Sequence, residues 1–228
     1  CLEALLRHTT AHAELIVVLG GAPEAVRRRL TADFGDKARF LFEPSFLNPA
    51  QARNVGLRAC RTPLAAFVDN DITVEPGWLE ALVRCRHETG AAMVVPLILE
   101  KSRVIHTAGN DLYITYKNGA AYGSKVLRYY KQVYGEGSNL QRTTTAYGEL
   151  HCQLVDVPTA VQLGVYDENI MEVGECDSGL TWRKAGHSMW FEPASIVVYD
   201  VPYRIYAVED IRLFAWRWDM RTIRKGYE

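Results

Sequence analysis

The chain lacks a long apolar run, a net charge of any size and a paired cysteine motif, and each absence removes a class of protein. No stretch approaches the roughly 18 apolar residues that span a bilayer. The 26 Lys and Arg residues nearly cancel the 27 Asp and Glu, leaving a formal charge of -1. That balance supplies no global attraction to nucleic acid or anionic lipid. The five cysteines, Cys1, Cys60, Cys85, Cys152 and Cys176, are odd in number and form no CxxC pair. Their pattern argues against both a disulfide framework and a zinc site, and for a reducing, cytoplasmic setting, with peripheral membrane contact left open. No secretory pattern is read in the first residues, which form an amphipathic helical pattern instead. No internal repeat or low-complexity tract is visible. The first residue is Cys rather than Met and falls inside that helical pattern, as expected for a piece of a longer protein.

What is present is a hydrophobic share of 48% over 228 residues, enough for one sizeable core. The first half alternates strand-like and helical segments. Strands are expected at Glu14 to Leu19, Arg39 to Glu43, Leu64 to Val68 and Ala91 to Leu99. Between them lie helices from Pro23 to about Leu30, from the Asn48-Pro49 cap onward, and from Pro76 to about Glu88. In the second of these, Ala52, Val55, Gly56 and Ala59 have the spacing of a buried stripe. Short continuous apolar strands between helices predict an α/β fold with a mostly parallel central sheet covered on both faces.

From about residue 100 to 148 the pattern loosens into Gly, Asn, Tyr and Lys, with "NGAAYGSK" and "YGEGSN" as loop signals. This reads as a substrate-covering insertion or a long surface excursion. Beyond it come a strand at Leu154 to Pro158, paired strands "SMWFEP" and "SIVVYD" forming a smaller antiparallel portion, and a carboxy-terminal helix. That helix is placed from about Val208 to Lys225 and buries Ile211, Phe214, Ala215 and Trp218.

The candidate site begins at "FVDND", where the strand ending at Val68 gives way to Asp69, Asn70 and Asp71. In open α/β sheets ligands bind beyond the carboxyl ends of strands. Two carboxylates one residue apart repel unless a cation, donors or solvent compensate them. Taken alone, the pair reads as solvated turn formers. The sharper reading is a hard divalent cation, Mg²⁺ or Mn²⁺, shared with a phosphate-bearing ligand.

The segment "NPAQARNVGLRACRTPLAAFVDNDITVEPGWLEALV" resembles the central part of inverting family-2 glycosyltransferases of the GT-A fold. There an A-R-N-x-G helix precedes an apolar strand ending in D-x-D, followed by P-G-W-L. Downstream, "LGVYDENIMEVGECDSGLTWRKAGHSMWFEPASIVVYD" is similar to the same family's acidic region in order and spacing. The resemblance covers residues 1–99 and 150–200. It implies one GT-A-like domain with a nucleotide-binding half, 1–99, and an acceptor-binding half, 100–228. It implies a nucleotide-diphosphate sugar as donor, a UDP-sugar first among the candidates. A carbohydrate, a lipid-linked sugar or a protein would be the acceptor, and other domains of the same chain would be possible partners.

By that similarity Asp71 would bind the metal, with Asp200 at a family position often held by His. Asp69 would face the ribose, with Asn70 on the connecting turn. Arg53 matches a position that touches nucleotide; Asn54 falls beside it and suits the orienting of a loop. Counting back from Ala185-Gly186 puts Glu175 at the position of the general base, whereas matching residue identities gives Asp177. A non-catalytic GT-A-like binding module and a nucleotidyltransferase remain as alternatives. His106 and His151, single histidines in unassigned segments, read as structural ahead of acceptor-lining. The chain departs from the family where its second strand ends "VVLGGAPE" without the expected Asp, and it opens after the family's first strand.

Overall fold

The computed structural model describes residues 1–10, 12–135, 137–164, 166–170, 173–200 and 208–227. Elements run in the order α1 (Leu2–His8), β1 (Ile16–Gly20), α2 (Glu24–Phe34), β2 (Arg39–Glu43), α3 (Pro49–Ala59), β3 (Leu64–Val68), β4 (Ile72–Val74), α4 (Trp78–Thr89) and β5 (Met93–Glu100). The second half adds β6 (Ile105–Thr107), β7 (Asn110–Lys117), β8 (Ala120–Leu127), β9 (Thr143–Thr144), β10 (Cys152–Asp156), α5 (Val157–Gln162), α6 (Gly174–Lys184), β11 (Met189–Tyr199), α7 (Val208–Arg217) and β12 (Met220–Tyr227).

The centre is a seven-stranded sheet whose main order is β3-β10-β5-β11-β4. Every residue of β5 is buried. Val94 and Ile98 join a core cluster with α1 and α4 residues such as Leu5, Leu79 and Leu82. Met93, Val95, Leu97 and Leu99 join another with Leu57 of α3, Ala160 of α5 and Trp182 of α6. Period-two alternation thus sends successive β5 side chains into opposite apolar layers, which is why the strand reads as an unbroken hydrophobic run. The α/β class expected from the sequence holds.

The sheet is mixed in direction. β5 and β11 pair in parallel, but β10 runs antiparallel between β3 and β5. β3, β5 and β11 therefore point the same way, and their carboxyl ends share one edge with the amino end of β10.

Three segments differ from the expectation. Residues 110–127 form a hairpin, β7–β8, joined at Asn118 and Gly119, both with positive φ. The hairpin belongs to a three-stranded sheet ordered β12-β8-β7. "SMWFEP" and "SIVVYD" form one strand, β11, whose register shifts between Glu192 and Ile196. Pro193 sits in that bulge, where a residue without an amide hydrogen is tolerated. The last helix stops at Arg217, and the chain turns at Asp219 (φ 51°) into β12. Phe214, Ala215, Met220 and Ile223 together bury against the hairpin and α6.

Helix α3 opens as anticipated, with an Asn48–Gln51 capping box and Pro49 in its first turn. Its buried face is Ala50, Arg53, Asn54 and Leu57 rather than the stripe drawn from apolar spacing. Two polar side chains occupy the inward surface because each has a fixed partner there, Asp69 for Arg53 and the Tyr166 backbone for Asn54.

Candidate functional site

The β3–β10 ladder builds the first half of the site. Cys152 pairs with Val68, so the next step brings His151 against Asp69. The Asp69 amide donates to the His151 carbonyl at 2.9 Å. The His151 Nδ1–H donates back to Asp69 Oδ2 at 3.3 Å. The other carboxylate oxygen, Oδ1, takes Arg53 Nη2 at 2.5 Å, and the same nitrogen donates to the Leu150 carbonyl at 2.8 Å. Arg53 is only 6% exposed, and its Nε and Nη1 are buried without a hydrogen-bond partner among the described residues. Asn54 donates to the Tyr166 carbonyl at 2.8 Å and accepts from the Tyr166 amide at 3.1 Å, fixing the loop before α6.

Asp71 begins the second half. Its backbone carbonyl accepts from the Asp200 amide at 2.9 Å, extending the β4–β11 ladder by one rung. Its Oδ1 is buried without a hydrogen-bond partner among the described residues. Burial, with the like charges of Asp69 and Asp200, raises the Asp71 carboxyl above its ordinary range against the opposing effect of His151. A half-buried carboxylate with an orphaned oxygen and two acidic neighbours is an environment that a cation relieves. Asp69, Asp71 and His151 each offer a ligand atom, all within 4.8 Å of one another. Oxygen donors dominate this group, as Mg²⁺ and Mn²⁺ prefer. The Asp200 carboxylate points to Lys101 Nζ at 2.6 Å, and Asn70 is exposed on the turn.

Behind these residues lies a row of buried charges. Glu149, two residues before His151, faces His106 Nε2 at 3.9 Å and His151 Nε2 at 4.0 Å. Burial works to raise the Glu149 carboxyl, but His106, the Lys125 ammonium and His151 together hold it far below the usual carboxylate range. Lys125, on β8, forms a buried ion pair with Glu175 in the first turn of α6. Burial pushes the Glu175 carboxyl up even against that ammonium. Asp177, two residues on in the same first turn, accepts from Arg217 Nη1 at 2.9 Å and Trp218 Nε1 at 2.8 Å. It therefore ties α6 to the end of α7. Glu172, a further member of the acidic run, lies outside the described residues.

The geometry places a D-x-D pair, a buried arginine and a buried glutamate around the carboxyl edge of an α/β sheet. The sequence profile described as "Glycosyl transferase family 2" matches residues 1–145. The chain belongs to glycosyl transferase family 2.

Two curated relatives of this family-2 chain carry the name "Pre-mycofactocin glycosyltransferase", from the CDC 1551/Oshkosh and H37Rv strains of Mycobacterium tuberculosis. Each is 32% identical over 162 residues, covering 70% of this chain and 32% of the relative. The chain thus spans about a third of the length of the curated relatives it matches. Among solved structures, GalNAc-T7 with UDP, GalNAc and Mn²⁺ superposes with a TM-score of 0.67 at 12% identity, covering 94% of this chain and 43% of that one. The mannosyltransferase PcManGT from Pyrobaculum calidifontis, in complex with GDP-Man and Mn²⁺, gives 0.59 at 16% identity, covering 95% and 54%. Both likenesses are of fold: the family-2 domain has the GT-A architecture.

Three residues of the site escaped the motif reading. His151 reaches Asp69 only through the antiparallel β10 pairing, which no local pattern encodes. Glu149 and Lys125 sit in the loosely patterned middle segment. One usable signal was there: Asn118-Gly119 between alternating segments marks a two-residue hairpin, and the hairpin delivers Lys125.

Proposed function

We propose that this family-2 domain is a metal-dependent, inverting glycosyltransferase that moves a sugar from a nucleotide diphosphate to an acceptor hydroxyl. One observation carries the reading. A buried carboxylate oxygen of Asp71 and two buried guanidinium nitrogens of Arg53 lack partners among the described residues, and both side chains meet at Asp69 or beside it. An orphaned acceptor calls for a cation and orphaned donors call for an anion or a base; a metal–nucleotide pair supplies both.

On this reading residues 1–99 form the nucleotide half. Asp71 holds the cation, with Asp200 alongside, and Asp69, oriented by His151, faces the ribose. The orphaned nitrogens of Arg53 meet phosphate or base. Asn70 presents the turn, and Asn54 keeps the 166–168 loop in place. A divalent ion bound there would supply Lewis-acid stabilisation of the leaving diphosphate. The UDP and GDP-Man complexes of the structural neighbours, both with Mn²⁺, support a nucleoside-diphosphate donor.

Residues 100–228 form the acceptor half on the same reading. The acceptor hydroxyl attacks the anomeric carbon opposite the diphosphate. The bond from that carbon to the phosphate oxygen breaks, and its electron pair leaves with the diphosphate. The hydroxyl proton passes to Glu175, whose carboxyl is pushed up by burial; a raised pKa makes its carboxylate a stronger base. Asp177, engaged at both oxygens by Arg217 and Trp218, is the weaker candidate for that role.

A non-catalytic module is the competing reading, favoured by the Lys125 ammonium seated on Glu175. Turnover of nucleotide sugars by the Glu175→Gln variant separates the two. Loss of a general base costs about 10²–10⁴-fold in rate. A fall of that size in kcat, with donor KM little changed and the far-ultraviolet circular dichroism retained, supports the transferase. No turnover by either protein supports the non-catalytic module, and equal measurable turnover by both removes Glu175 from the mechanism.

A further inference from the structure

We propose that His106, Glu149 and His151 form a second metal site, distinct from the D-x-D pair, that takes a borderline transition ion such as Zn²⁺. The proposal stands independently of the transferase reading.

The outer nitrogen of each histidine is held by a carboxylate. His106 Nδ1–H donates to Glu100 Oε1 at 3.3 Å, and His151 Nδ1–H donates to Asp69 Oδ2 at 3.3 Å. Glu100 is in turn clamped by Lys131 Nζ, at 2.5 and 2.6 Å to its two oxygens. Each ring is thereby held in an orientation that leaves Nε2 facing inward. A carboxylate behind the Nδ1–H of a histidine is the arrangement that orients metal-binding imidazoles and raises their basicity.

Both Nε2 atoms converge on one carboxylate. Glu149 Oε1 lies 3.9 Å from His106 Nε2 and 4.0 Å from His151 Nε2, too far for hydrogen bonds. The ligand atoms of all three residues fall within 4.8 Å of one another. The other Glu149 oxygen, Oε2, is buried and has no hydrogen-bond partner among the described residues. Adjacent ligands on a tetrahedral zinc ion are separated by roughly 3.4 Å, so each histidine nitrogen needs to draw in towards Glu149 by about half an ångström.

The surroundings are built to hold these rings still. Tyr199 stacks on His151 with centroids 4.1 Å apart and meets His106 edge-on at 5.0 Å. His106 is 2% exposed. Glu149 is positioned by Gly148, where an added Cβ would lie 2.7 Å from both Met93 Sδ and Val95 Cγ1. No larger residue lets the loop approach β5 so closely.

The donor chemistry separates the two sites. Two imidazoles and one carboxylate match the His₂Glu set of zinc sites, whereas the carboxylate-rich D-x-D side matches hard cations. His151 stands between them, with Nδ1 towards Asp69 and Nε2 towards Glu149. The cysteine pattern argues against a zinc site, but it bears on thiolate ligands alone; these donors are spread over 46 positions of sequence, from residue 106 to residue 151, with no compact spacing to mark them.

Calorimetric titration of the Asp71→Ala variant with Zn²⁺, in excess Mg²⁺, tests the proposal. Asp71→Ala is expected to bind one Zn²⁺ per chain, and Co²⁺ in its place is expected to show the visible absorption of a four-coordinate ion. Adding His106→Ala or Glu149→Gln should abolish that binding. Adding Glu100→Gln, which spares all three ligands, should weaken it about 10–100-fold. Circular dichroism and thermal melts identify any variant that has lost its fold. Absence of Zn²⁺ binding to Asp71→Ala, or unchanged affinity after Glu149→Gln in a folded protein, overturns the site. The first result is what a plain buried ion-pair cluster around Glu149 would give.

Discussion

His151 and Asp69 are joined twice across the β3–β10 ladder, once by backbone at 2.9 Å and once by side chains at 3.3 Å. The backbone contact fixes where His151 stands, and the side-chain contact fixes which way Asp69 faces. Replacing His151 by Phe keeps a ring against Tyr199 but removes the Nδ1–H donor. Donor affinity is expected to fall about 10-fold or more, as for other groups that orient a ligand-binding carboxylate. Calorimetry with the nucleotide sugar reads that change, and a thermal melt close to that of the parent shows that packing is retained.

Lys125 and Glu175 are a buried pair on different elements, with side chains 11% and 6% exposed. Removing one partner strands the other charge in the interior. Lys125→Met is expected to destabilise the fold by about 3–5 kcal/mol. The double variant Lys125→Met/Glu175→Leu should recover most of that loss. Urea denaturation of the two variants and the parent measures both. Equal destabilisation in the single and double variants would show that the pairing is not the source.

Asp156 supplies a clean pH dependence. It caps α5 through the Thr159 amide at 3.0 Å and pairs with Arg86 at 3.0 Å. Burial works to raise its pKa, but the Thr159 bonds and Arg86 outweigh it and lower the carboxyl from its ordinary value. A depressed folded-state pKa contributes stability that is present above the unfolded value of about 3.9 and is lost as pH falls through the folded one. The parent should therefore lose more stability than Asp156→Asn between neutral and acidic pH. Urea midpoints at a series of pH values compare the two slopes, and parallel slopes would contradict the assignment.

Gly148 is a packing prediction. Its side chain would strike Met93 and Val95 on β5, so Gly148→Ala is expected to cost about 1–3 kcal/mol. Because Glu149 and His151 follow directly, the same variant should also disturb ligand binding more than its stability loss alone explains. Denaturant titration and nucleotide-sugar calorimetry on one preparation separate the two effects.

Local patterns revealed the elements whose signals are contained within themselves. The Asn48 cap, the buried run of β5 and the D-x-D exit from β3 are of this kind, and all three stand where the residues indicated. The inner face of α3 was misjudged because Arg53 and Asn54 occupy core positions, and apolar spacing cannot register a buried side chain whose partner lies far along the chain. The hairpin at 110–127 was hidden by exposed tyrosines on an edge strand, although Asn118-Gly119 advertised its turn. His151 was illegible for a deeper reason. Its role follows from the antiparallel insertion of β10 between β3 and β5, a pairing decided by the whole sheet.

The central claim is that Asp71 holds a divalent cation that in turn holds a nucleoside diphosphate. Titrating the domain with UDP-, GDP- and TDP-sugars, with and without Mn²⁺, and repeating the set with Asp71→Ala, tests it most directly. The account predicts that at least one donor binds the parent only when Mn²⁺ is present, and that the folded Asp71→Ala variant loses this binding. Donor binding of equal strength with and without Mn²⁺, or unchanged in Asp71→Ala, would contradict it.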